Sequence, residues 1–85
     1  MDKHVIFGVH VTERTRNAGR IQSVLTKHGC QIRTRLGLHD ADESRCSPNG
    51  LILLEVVGKP AQVSGLEKGL KSIRGLEVKR MTFGR

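Results

Sequence analysis

Most of the side chains that could do chemistry lie between Ile32 and Gly58, in IRTRLGLHDADESRCSPNGLILLEVVG. Arg33 and Arg35 are two apart, so on a strand both guanidinium groups leave one face, near His39. Paired arginines can hold a carboxylate or phosphate bidentately. Glu55, on the next apolar run, would lie across from them, and a plain salt bridge to Glu55 accounts for the arginines equally well. His39 and Cys46 flank the polar loop. A transition-metal site needs three or four converging ligands. Here there are two, together with Asp40, Asp42 and Glu43, and with His10 or His4 if a neighbouring strand or subunit brings one in. The other reading is a solvated acidic loop with a half-buried cysteine.

Catalysis would need a nucleophile or an acid–base pair in a pocket. Cys46 and His39 are the only such pair, with no third residue to orient them, and Gly8, Gly19 and Gly29 lack the spacing of a phosphate-binding loop. No enzyme is expected. Ser47-Pro48-Asn49-Gly50 reads as a tight turn, and Cys30 as a buried, inert thiol. The net charge of +7, from 15 Lys and Arg against 8 Asp and Glu, admits nucleic acid, a membrane surface or a small anion as partner. The cations are spread along the chain with no run longer than Lys79-Arg80, which also suits a simple basic surface. No apolar run approaches a membrane span of roughly 20 residues. Met1-Asp2-Lys3-His4 leads straight into a strand with no secretory signal, and Cys30 and Cys46 match no zinc or redox spacing. Reduced thiols and a cytoplasmic location are therefore expected.

The elements that must position these groups follow from periodicity. His4 to Thr12 alternates, with Val5, Phe7, Val9 and Val11 on one face and His4, Ile6, Gly8 and His10 on the other. From Thr15 to His28, Ala18, Ile21, Val24, Leu25 and His28 share a helical stripe that Gly29 closes. Ile32, Thr34, Leu36 and Leu38 alternate with Arg33, Arg35, Gly37 and His39. Asp40 to Pro48 is turn-forming, and Leu51 to Val57 is apolar at nearly every position. Pro60 opens a second helix with Val63, Leu66, Leu70 and Ile73 buried, in which Gly65 and Gly69 are each expected to cost roughly 1 kcal/mol relative to Ala. Leu76 to Phe83 is a last strand whose apolar parity changes near Lys79-Arg80, through a bulge or a change of cover.

The order βαββαβ in a single domain of 85 residues predicts an α+β, ferredoxin-like fold. Its four-stranded antiparallel sheet carries both helices on one face, with strands one and three central. The other face is left bare. Ile6, Leu51, Leu53 and Val57 would make too much apolar surface there for a soluble monomer, so a dimer or tetramer packed sheet to sheet is expected.

The same residues carry a family resemblance. The opening VIFGVHVTERTRNAGRIQSVLTKHG and the pair RTRLGLH…NGLILLEVVG resemble the small ACT-like proteins known as iron-only hydrogenase system regulators. These are similar in fold to the C-terminal sensor domain of the nickel-responsive repressor. The resemblance covers almost the whole chain, through apolar and glycine positions. It implies an oligomeric regulatory module that binds a small ligand or metal at a subunit interface and signals to another protein. In the nickel repressor, histidines at alternate strand positions and a cysteine before the next strand bind the metal. His39 and Cys46 fall on that pattern, but the alternate position is Gly37, and no DNA-binding segment precedes the domain.

The rival reading is a basic nucleic-acid-binding protein, because the RNA-recognition motif has the same element order. That motif stacks bases on aromatics of the central strands. Here Phe7 is expected in the core and strand three offers only Leu51, Leu53 and Glu55, so base stacking fails and nucleic acid is not an expected partner. Nonspecific phosphate binding by a basic oligomer, collapsing with salt, stays open.

Overall fold

The computed structural model describes residues 4–12, 14–41 and 46–84, with side chains at 4–12, 17–37 and 50–84. The elements are β1 (His4–Val11), α1 (Arg14–Lys27), a 3-10 turn (Gly29–Gln31), β2 (Ile32–Ala41), β3 (Cys46–Val56), α2 (Pro60–Lys71) and β4 (Leu76–Phe83). The strands form one antiparallel sheet in the order β2-β3-β1-β4. The βαββαβ plan and the central position of β1 and β3 are as the sequence predicts. No described helix is long and apolar enough to cross a membrane.

The core lies between the sheet and the two helices. Val5, Phe7, Val9 and Val11 of β1 and Leu54 and Val56 of β3 meet Ile21 and Leu25 of α1 and Val63, Leu66 and Leu70 of α2, with Ile73 just beyond. Phe7, Leu54, Leu66 and Leu70 have no exposed surface. The stripe of α1 differs from expectation at one place. Asn17 is buried and Ala18 exposed, because Asn17 donates from Nδ2 to the carbonyl of Thr12 at 3.2 Å and closes the bend out of β1. Thr12 in turn donates its hydroxyl to the carbonyl of Gly75 at 2.8 Å. Gly75 adopts φ +92°, and a Cβ there would lie 2.9 Å from Asn17 Nδ2. This junction ties the start of α1 to the start of β4.

Gly69 does more than weaken α2. A Cβ on Gly69 would sit 3.1 Å from Val24 Cγ1, and one on Gly65 3.5 Å from His28 Cε1. Gly69 therefore sets how closely the two helices approach, whereas a methyl at Gly65 would make only ordinary contact. The start of α2 is closed by Gln62, whose Oε1 accepts from the Lys59 amide at 2.9 Å. On the sheet side, Glu67 of α2 receives Lys71 at 3.0 Å and Arg80 of β4 at 3.0 Å.

Candidate functional site on the open sheet face

The site is built by strand register. Opposite Ile6, Gly8 and His10 of β1 stand Glu55, Leu53 and Leu51 of β3 on one side and Met81, Lys79 and Glu77 of β4 on the other. All of these belong to the face away from the helices, since the alternate rows carry Val5, Phe7 and Val9. β4 runs in unbroken register from Leu76 to Phe83, so the change of parity is a change of cover and not a bulge. Leu76 and Val78 pack on the core while Met81 and Phe83 stand on the open face, 55% and 51% exposed.

β2 carries the main correction. Ile32 pairs with Val56 and Thr34 with Glu55, which leaves Arg33 as an extra residue in a bulge. One inserted residue reverses the facing of everything after it. Ile32 stays against the core, but Thr34, Leu36 and Leu38 then stand opposite Glu55, Leu53 and Leu51, in the rows of the open face. Arg35, Gly37 and His39 fall in the rows of Leu54, Ile52 and Gly50, on the helix side. The expectation that Arg33 and Arg35 leave the same face is therefore wrong. Arg35 donates from Nη1 to Gln22 Oε1 of α1 at 3.1 Å. Leu36 is left 51% exposed on the open face, where the sequence pattern had placed it in the core.

What remains together is a cluster around Glu55. Its Oε1 accepts from the Thr34 hydroxyl at 3.0 Å. Its Oε2 lies 3.7 Å from Arg33 Nη1 and 3.7 Å from His4 Nδ1. The Glu55 side chain is 24% exposed, whereas those of Arg33 and His4 are 63% and 69% exposed. The carboxylate is thus held in place, and its neighbours Arg33 and His4 are loosely held. A group that offers a cation to Glu55, or an anion to Arg33, can displace either pairing at little cost, because exposed ion pairs contribute only about 0–1 kcal/mol. Thr34 was missed as a member of the site, and His4 was named only as a possible metal ligand, not as a partner of Glu55. His4 was legible from its alternation with Ile6, but Thr34 depends on the bulge.

The metal candidates are not gathered into one place. His10, in the open-face row of Leu51, and His39, in the helix-side row of Gly50, occupy opposite faces by register. Their rows, like that of Cys46 opposite Ala41, come from backbone pairing; the side chains of His39 and Cys46 lie outside those described. Among the described residues no three His, Cys, Asp or Glu side chains converge. Ser47-Pro48-Asn49-Gly50 is strand rather than turn. Between His39↔Gly50 and Ala41↔Cys46 the β3 side carries two more residues than β2, and Pro48, which has no amide proton to give, sits in that irregularity. Cys30 is an exposed free thiol, not a buried one.

No protein-family model matches the chain, and no curated protein matches it in sequence. Solved structures do. An uncharacterized protein of Thermotoga maritima superposes with a TM-score of 0.79 at 19% identity, over 96% of this chain and 99% of that one. The fold is ferredoxin-like. A glycine cleavage system transcriptional repressor matches with a TM-score of 0.65 at 16% identity, and this chain spans about half of its length (48%). A nitrogen regulatory PII-like protein of Thiomonas intermedia, bound to ADP, AMP and bicarbonate, matches with a TM-score of 0.58 at 11% identity over 98% of this chain. Identities this low establish the ferredoxin-like α+β architecture and no more.

Proposed function

We propose that the protein is an ACT-like regulatory binding module, of the kind found among iron-only hydrogenase system regulators, that works as a homo-oligomer. Subunits pack open face to open face, and a small charged ligand is held beside that contact at the Glu55 cluster. The observation that carries this reading is the open face itself. Ile6, Leu36, Leu51, Leu53, Met81 and Phe83 are contiguous by register and incompletely covered. Apolar surface of this kind is characteristically an interaction site. The polar cluster at its margin supplies both signs of charge, as a specific ligand site beside an apolar interface requires. Two of the structural relatives are regulatory proteins by description, and one of those was captured with nucleotides and bicarbonate. The action is binding and signal transfer to another protein in the cytoplasm, not catalysis.

Native mass spectrometry of untagged protein tests the reading directly. A dimer or tetramer retaining a stoichiometric small molecule, lost in Glu55→Gln or Arg33→Ala with the oligomer intact, is the expected result. A bare monomer at micromolar concentration would remove the basis of the proposal.

A further inference from the structure

The helix layer, on the opposite side of the molecule, carries a feature that the ligand site does not use. α1 contains Arg14, Arg16, Arg20 and Lys27 and no acidic residue. Arg20 and Lys27 are seven apart and exposed, so they share one outward stripe of the helix. α2 runs antiparallel beside it, with Gly69 next to Val24 and Gly65 next to His28. That arrangement sets Lys27 by the stretch of α2 holding Lys68, and Arg20 towards its C-terminal end, where Ser72 and Arg74 follow. Lys68 and Arg74 are also exposed. On the β2 side of α1, Arg35 is fixed to Gln22 and extends the basic surface. The three carboxylates among the described side chains are committed elsewhere. Glu67 is turned to Lys71 and Arg80, while Glu55 and Glu77 belong to the open-face rows.

We infer that this helix-layer surface binds the phosphate backbone of duplex nucleic acid without reading its sequence. Among the described side chains, Glu67 apart, the charge on this surface is positive, spread over two antiparallel helices and interleaved with the exposed hydrogen-bonding side chains Gln22, Ser23, Thr26, Ser64 and Ser72. A duplex carries one negative charge per about 1.7 Å of axis, so such a surface meets phosphates in any register. A membrane fits less well. A helix lying on lipid presents large apolar side chains beside its cations, and the exposed large hydrophobic residues Leu36, Met81 and Phe83 all belong to the other side of the sheet. Single strands fit less well too, because they are held by base stacking on aromatics. Phe7 is buried in the core and Phe83 lies at the far face. This inference does not depend on the ligand site or on its oligomer contact.

The test is fluorescence anisotropy with a labelled 20-base-pair DNA duplex of arbitrary sequence, titrated across salt. About four phosphate contacts predict an affinity that falls roughly 100-fold between about 50 and 200 mM salt. Lys27→Ser with Lys68→Ser, and separately Arg20→Ser with Arg74→Ser, should each weaken binding on every sequence. The log–log salt slope should become shallower by about 0.9 for each cation removed. Lys79→Ser, on the open face, removes one positive charge without touching the helix layer and should leave the slope unchanged. All of these positions are exposed, and an unaltered circular dichroism spectrum certifies each variant. The inference is overturned by no duplex binding at 50 mM salt, by helix-layer variants that match Lys79→Ser, or by tighter binding to single strands or to phosphatidylserine vesicles than to the duplex.

Discussion

Leu53 and Leu54 are neighbours in β3 and belong to two different environments. Leu54 meets Phe7 across the sheet and is wholly buried under the helices, whereas Leu53 stands opposite Gly8 and Leu36 on the open face and is only half-buried. The contrast extends to the whole molecule. One side of the sheet is a closed core roofed by helices whose outer surface is basic. The other is an apolar field with the Glu55 cluster at its margin. Burial on the first side stabilises the fold. The half-covered surface of the second contributes little to folding a single chain and remains available for association, because the hydrophobic gain scales with area actually removed from water.

The pair gives the sharpest way to break this comparison. Leu54→Ala should lower unfolding free energy by roughly 2–5 kcal/mol, as core truncations do, measured by urea denaturation. Leu53→Asp should cost the fold under about 1 kcal/mol yet abolish self-association in sedimentation velocity. Equal losses of folding stability at the two positions would mean that the faces do not differ in kind. Gly75→Ala should cost about 1–3 kcal/mol, because φ +92° is strained for a side chain and Asn17 already occupies the space.

The helix side can be probed more finely. Gly65→Ala meets only ordinary contact with His28 and should raise stability by about 0.5–1 kcal/mol through helix propensity. Gly69→Ala presses on Val24 and should be less stable than Gly65→Ala by about 1 kcal/mol. A smaller effect is expected at Glu67. The hydrogen bond from Lys71, and secondarily that from Arg80, holds its carboxyl below the usual range, against a desolvation that acts the other way. A carboxyl depressed in the folded state stabilises above its unfolded value, near about 4.3, and that contribution disappears as pH falls through the folded value. Glu67→Gln should therefore lose about 0.5–1 kcal/mol at neutral pH and show a shallower stability loss below about pH 4.3. Arg35→Ala, which removes only an exposed hydrogen bond to Gln22, should fall within about 0.5 kcal/mol of the parent.

Much of the fold was legible because it rests on local patterns. In β1 the alternation of Val5, Phe7, Val9 and Val11 with polar or small residues admits one core face only, and the helical stripes around Ile21 and Leu66 are just as direct. The open face followed from counting helices against a strand apolar on both sides. The candidate site was only partly legible. Glu55 with Arg33 could be anticipated, and His4 could be read from its alternation with Ile6, but Thr34, the departure of Arg35 and the arrival of Leu36 could not. Asn17 was likewise hidden, since a buried amide becomes reasonable only once the carbonyl of Thr12 is in reach.

The sequence by itself determined the element order, the core faces of β1 and β3 and the existence of an uncovered apolar surface, because each depends on periodicity within a segment. Only the tertiary structure decided which residues of β2 belong to that surface. As an edge strand, β2 takes its register from β3, and the single extra residue at Arg33 lets Ile32 stay in the core while Thr34 and Leu36 turn to meet Glu55 and Leu53. A period-two pattern read along one strand cannot reveal an insertion that is defined only by the partner across from it.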